Sequence, residues 1–135
     1  MPDFGDHVDM HKFQAVLDMD GEGEDREFSR TVVEEYFRQF EVAIDEIDAA
    51  IGSQDLHSLA SLGSTLGGSS RSLGFTKIAD GCSLVEENGI VSGRKVNADG
   101  GDTGVRLGKI QQAVLQMKPD FEEAKRLVLD FYKNG

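Results

Sequence analysis

The sequence predicts an all-α protein, an antiparallel four-helix bundle with a short extra helix at its N-terminus. Three observations carry that expectation. Apolar residues recur at helical spacing from Arg26 to Ile51, about seven turns without a break. Nowhere does polar and apolar residue order alternate over a useful strand length, and no internal repeat or low-complexity tract appears. Only two prolines interrupt 135 residues, and the connections between periodic segments are short, which makes successive helices antiparallel neighbours.

The elements follow in order. Asp9 to Met19 places Met10, Phe13, Val16 and Leu17 on one helical face, with Asp9 as N-cap. The acidic, glycine-containing run from Asp20 to Asp25 then predicts a turn into an acid-rich helix start, favoured by the helix dipole. In the long helix, Phe28, Val32, Val33, Tyr36, Phe37, Phe40, Ile44, Ile47 and Ile51 form the apolar series. Gly52 stops it, and Asp55 caps a helix starting at Leu56. Gly74 ends that helix, and Thr76 is expected to cap the next one, which runs to about Asn88 and buries Ile78, Ala79, Cys82 and Val85. Residues 89–104 are rich in turn formers and predict the one long loop. Leu107, Ile110, Ala113, Val114 and Met117, then Phe121, Ala124, Leu127, Val128 and Phe131, resume the helical period from Val105 onward. Pro119 divides these two groups and predicts a kink or a new helix start.

Length and composition point to a single domain over residues 1–135, with 39% hydrophobic and 29% charged residues typical of a soluble globule. The formal charge of −11 argues against general binding to nucleic acid or anionic membranes, both of which need a positive surface. The single cysteine, Cys82, excludes an intrachain disulfide and reads as a buried thiol. No secretory leader or membrane-length apolar run occurs, so a cytoplasmic location, extending to the nucleus, is expected, as is a monomer.

The segment from Leu56 to Phe75, LHSLASLGSTLGGSSRSLGF, is unlike the other helices. Leu59, Leu62, Leu66 and Leu73 make its apolar stripe, while His57, Ser61, Ser64, Gly68 and Arg71 project to the opposite side. That outward side is nearly bare. Gly63, Gly67 and Gly68 each cost about 0.5–1 kcal/mol relative to alanine inside a helix, so something must approach the backbone closely. From the residues alone, close internal packing and an external docking face are both open, with Gly63 and Gly67 inward and Ser64 and Gly68 outward. Between Leu56 and Ala79 there is no Asp or Glu, only Arg71 and Lys77, leaving a locally basic island suited to an acidic partner.

Other chemistries fit poorly. GSTLGGSS lacks the lysine and preceding strand of a phosphate-binding loop. His57 lies roughly 10 Å along the axis from Ser64, too far to serve as its base. His7 and His11, one turn apart, lack an evident third ligand, and the acids of residues 20–25 are out of register for a calcium loop, so no metal or cofactor is expected.

SLGSTLGGSSRSLGFTKIADGC resembles the histidine-containing phosphotransfer (HPt) family of the fungal Ypd1-like kind, whose helix reads LGHFLKGSSATLG followed by a lysine-containing stretch and DGC. Leu62, Gly63, Leu66, Gly68, Ser69, Ser70, Leu73 and Gly74 carry the match. MDGEGEDREFS, VVEEYFRQF, ENG and FEEAKRLVLDFY extend it in order and spacing from Val8 to Tyr132. The resemblance implies a phosphorelay role: a histidine accepts a phosphoryl group from an aspartyl phosphate on one receiver domain and passes it to another. It places Ser64 at that histidine and Gly67 at the family's lysine, which neutralises the phosphoryl group, while the glycine at Gly68 leaves room for it. The expectation is therefore a pseudo-HPt protein of two-component signal transduction. Ser61, Ser64, Gly68 and Arg71 would dock on receiver domains of hybrid histidine kinases or downstream regulators, with no intact catalytic residue. The alternative of another class is a helical interaction scaffold that no longer binds receivers.

Overall fold

A computed structural model describes residues 4–20, 26–90 and 100–134. A 3-10 turn, Gly5–His7, precedes α1 (Met10–Asp18), α2 (Glu27–Gly52), α3 (Leu56–Leu73), α4 (Thr76–Gly89) and α5 (Gly100–Asn134). Every described element is helical, and none is long and apolar enough to cross a membrane. Helices α2 to α5 pack in sequence and α5 returns to α2, closing the bundle, while the 3-10 turn and α1 lie against one end. The expected all-α bundle with its extra N-terminal helix is the observed architecture.

Local chemistry sets the boundaries. The Asp9 carboxylate accepts from the backbone N–H of His11 (2.9 Å) and Lys12 (3.3 Å), capping α1 as expected. The Asp55 carboxylate does the same for α3 through the Ser58 N–H at 3.1 Å. The Ser58 hydroxyl, which donates to the same carboxylate at 2.6 Å, and then this backbone bond hold the Asp55 carboxyl below its ordinary pKa. Gly74 ends α3 at φ 91°, its N–H bonded to the Arg71 carbonyl and the Phe75 N–H to the Ser70 carbonyl, a Schellman arrangement. A Cβ on Gly74 would stand 2.8 Å from the Asp9 carbonyl oxygen, and the Asp9 N–H donates to the Gly74 carbonyl at 2.6 Å. One glycine thus ends a helix and fastens the N-terminal segment.

Four sequence expectations need correction. Thr76 does not cap α4: it is the helix's first residue, and its hydroxyl donates to the Asp6 carbonyl instead. Of the two outcomes expected at Pro119, the new helix start is not observed, because α5 runs through it. Pro119 and Leu115 are exposed, so water can reach the Leu115 carbonyl that the proline ring leaves without its helical donor. Phe28 is 57% exposed, while its neighbour Ser29 is buried and takes the inward position. There Ser29 N–H and hydroxyl donate to the Asp20 carboxylate (2.8 and 2.6 Å), and Tyr132 donates to Ser29 Oγ (2.8 Å). The cap of α2 thus comes from Asp20, nine residues upstream. Finally, α4 reaches Gly89 and α5 begins at Gly100, inside the span read as loop 89–104; residues 91–99 of that span, like 21–25 of the acidic turn, lie outside the described residues.

Stacked rings fill the centre. Tyr36 stacks on Phe75 with centroids 4.7 Å apart, and Phe40 on Phe121 at 3.9 Å. Phe4, Phe13 and Phe131 meet edge to face at the end where α1 packs.

The glycines of α3 divide by face. A Cβ on Gly63 would fall 2.9 Å from both the Cys82 carbonyl oxygen and the Glu86 nitrogen, while one on Gly68 would meet nothing within 4 Å. Gly63→Ala should therefore destabilise the fold by about 1–3 kcal/mol, since the obstacle is backbone. Gly68→Ala should stabilise it by about 0.5–1 kcal/mol through helix propensity. Urea denaturation of the two variants checks this opposition of sign.

Candidate functional site

The outward face of α3 carries the candidate site. His57, Ser61, Ser64, Gly68 and Arg71 are all exposed, on the side opposite the buried Leu59 and Leu66. Gly63 and Gly67 face inward, where the close approach of α4 accounts for them, and Gly68 faces outward into open space. Apart from Asp55, which caps it, this helix presents no acid to solvent.

Beneath that face lies a buried polar string. The Ser70 hydroxyl donates to the Leu66 carbonyl at 2.8 Å, which leaves its oxygen to accept from the Tyr36 hydroxyl at 2.7 Å. Burial pushes the Tyr36 phenol well above its ordinary pKa, against the opposing effect of that Ser70 bond. Cys82 is free and buried, as expected, and packs its Sγ 3.9 Å from the Met117 sulfur. Burial raises its thiol to about 12, against the opposing effects of Ser70 and Arg71. Both groups are therefore neutral donors, Tyr36 joining α2 to α3 and Cys82 joining α4 to α5.

Sequence reasoning missed two features. A cleft of about 730 Å³ runs between α2 and α3, lined by Thr31, Val32, Tyr36, Gly68, Ser69 and Leu73 among others. Gly68 forms part of its wall, so the bare face opens directly into it. The outward positions of α2 were legible only as the complement of its apolar series. The second feature is Arg71, whose guanidinium folds back over Gly67 and reaches Ser83 Oγ of α4 at 3.4 Å.

No basic side chain stands within hydrogen-bonding distance of Ser64 among the described residues, so a hydrolytic role for its hydroxyl has no support. Among the described residues no three His, Cys, Asp or Glu side chains gather in a way that could hold a metal. His11 is exposed on α1, and His7 sits in the 3-10 turn with a buried Nδ1 that has no partner.

The Hpt domain family matches residues 31–118, which include α3, α4 and the greater part of α2. The chain belongs to the Hpt domain family. Among curated relatives, it is 32% identical over 128 residues to the multistep phosphorelay regulator 1 of Schizosaccharomyces pombe, covering 95% of this chain and 43% of that protein. It is 37% identical over 93 residues to the phosphorelay intermediate protein YPD1 of Candida albicans, covering 68% of this chain and 47% of that one. The chain thus spans just under half the length of each. Among solved structures it resembles the yeast phosphorelay protein Ypd1, with a TM-score of 0.81 at 18% identity over 94% of this chain and 95% of that one. It also resembles the Saccharomyces cerevisiae Ypd1 solved with the receiver domain of its downstream response regulator Ssk1, with a TM-score of 0.79 at 18% identity over 97% and 98% of the two chains. At such identity the likeness shows the fold. The Hpt resemblance read from Leu62 to Gly74 is borne out.

The buried polar string gives the Hpt bundle a defined alkaline response. An unfolded chain loses the Cys82 proton near 9, its ordinary value, whereas the folded chain holds it to about 12. Above pH 9 the unfolded state binds fewer protons than the folded one, so stability falls with rising pH. Thermal unfolding between pH 8 and pH 11 should show a shallower decline for Cys82→Ala than for the native chain.

Proposed function

We propose that this chain is a phosphorelay protein that docks on response-regulator receiver domains and has lost phosphoryl transfer. The observation that carries it is the exposed, acid-poor face of Ser61, Ser64, Gly68 and Arg71, with open space above Gly68. The S. cerevisiae Ypd1 of the same fold was solved with a receiver domain. An acidic pocket meets no like charge from α3 itself and can approach the backbone at Gly68, while Glu35 of α2, across the cleft, is paired with Arg38.

The chemistry fails at Ser64. In a relay, an imidazole nitrogen offers its lone pair to phosphorus while the bond to the aspartyl oxygen breaks and the carboxylate leaves. A serine hydroxyl must shed its proton to do the same, and no base adjoins it. Its phosphoester is also too stable to return the group to an aspartate. Gly67 in place of the family's lysine removes a charge from that position. Such a protein sequesters receivers in the cytoplasm and nucleus without discharging them. A helical scaffold with no receiver partner is the contrasting reading.

NMR shift mapping with a receiver domain separates the two. Perturbations should centre on Ser64 and Gly68, and Gly68→Glu, adding bulk and like charge, should weaken binding at least about tenfold while the fold persists. Absence of any shift with receiver domains supports the scaffold. Ser64→His combined with Gly67→Lys should gain phosphate acceptance; a folded double variant that stays inert means that the docking face has diverged as well.

A further inference from the structure

Arg71 sits at the edge of the proposed docking face, yet its head lies elsewhere than its Cα. Helical side chains lean toward the N-terminus, and this one lies back over the preceding turn. The point where a Cβ on Gly67 would stand is 3.0 Å from Arg71 Nη2 and 3.2 Å from Nη1. Nη2 also reaches Ser83 Oγ at 3.4 Å, so the guanidinium rests in the seam between α3 and α4. No carboxylate pairs with it among the described residues.

The height along the helix matters. Gly67 follows Ser64 by three residues, about 4.5 Å of rise, which is where a lysine at position 67 would leave the backbone. The guanidinium therefore stands one turn from Ser64, at the level from which the family's lysine departs. Gly67 makes this possible: a side chain there would occupy the space the guanidinium fills and would press on Cys82 Cβ at 3.1 Å.

We propose that Arg71 replaces, from one turn further along α3, the cation that the family carries at position 67, so that the face still presents positive charge to a phosphoryl dianion brought to position 64 by a docked receiver. The inference rests on the docking reading above. Loss of the histidine removes the acceptor, but the anion-binding half of the site persists in another form. A guanidinium offers two parallel N–H donors to two phosphoryl oxygens, where an ammonium is a point charge. The native chain then holds the phosphorylated form of a receiver more tightly than the unmodified form and leaves the phosphate in place.

Two measurements test it. The first needs no partner. In a Ser64→His background, the introduced imidazole is titrated by NMR with Arg71 present, with Arg71→Ala and with Arg71→Lys. A nearby cation disfavours imidazolium, so Arg71→Ala should raise the imidazole pKa by about 0.3–0.5, and Arg71→Lys should restore most of the difference. Glu86 of α4, whose backbone abuts Gly63, is common to all three and cancels. Equal pKa values for Arg71 and Arg71→Ala overturn the placement of the charge.

The second is calorimetry of the native chain and Arg71→Ala against the Ssk1 receiver domain, with and without beryllofluoride as a mimic of aspartyl phosphate. Arg71→Ala should weaken binding of the beryllofluoride form about tenfold and of the free form less than about threefold. Equal weakening of both forms overturns the inference and leaves docking standing. No binding of either form by the native chain counts against docking, and the imidazole titration then decides the charge placement by itself.

Discussion

At Gly63 the backbone of α3 comes so close to α4 that a single methyl group would strike a carbonyl oxygen and an amide nitrogen at once. This approach sets the spacing of the bundle. The same seam recurs at the far end, where a Cβ on Gly89 would lie 2.6 Å from the Ala60 nitrogen. On the other side of α4, a Cβ on Gly81 would lie 2.3 Å from Met117 Cγ, which seats α5. Helices this close exclude water from the layer that holds Cys82, Ser70 and Tyr36, and that exclusion keeps the thiol and the phenol neutral.

The bare outer face follows from the same constraint. With the inner glycines fixing α3 and the Tyr36, Ser70 and Leu66 chain locking its rotation, Ser61, Ser64 and Gly68 are left facing solvent on a rigid helix. A helical backbone already in place lowers the ordering cost that any partner of this face would meet. Neither position 64 nor position 67 strains the packing of α3: Ser64 is exposed, and the space beside Gly67 on the α4 side is taken up by the arginine head.

Much of this was legible in the sequence, for identifiable reasons. Caps made by a residue's own neighbours, as at Asp9, Asp55 and Gly74, are written locally, and so was the split between the two glycine faces, which needs only the helical angle. What escaped depends on distant chain. Asp20 caps α2 from nine residues before Ser29, which lets Ser29 take the inward position and leaves Phe28 outside. Thr76 is drawn to Asp6 by a 3-10 turn that no periodicity announced. Pro119 is tolerated because its face is wet, a fact about the surface rather than about proline. Gly81 and Gly89 read as ordinary small residues until the helices they abut are known. At the site, Ser64 at the position the resemblance gives to a histidine was visible at once, whereas the arginine lying over Gly67 required the fold.

The central claim is that the Hpt fold is kept while its phosphoryl chemistry is gone. The most direct measurement incubates the native chain with a radiolabelled, phosphorylated receiver domain and follows the label on both proteins. The account predicts that the label stays on the receiver or is released as phosphate, with none on this chain. Acid-labile phosphate appearing on this chain would contradict it.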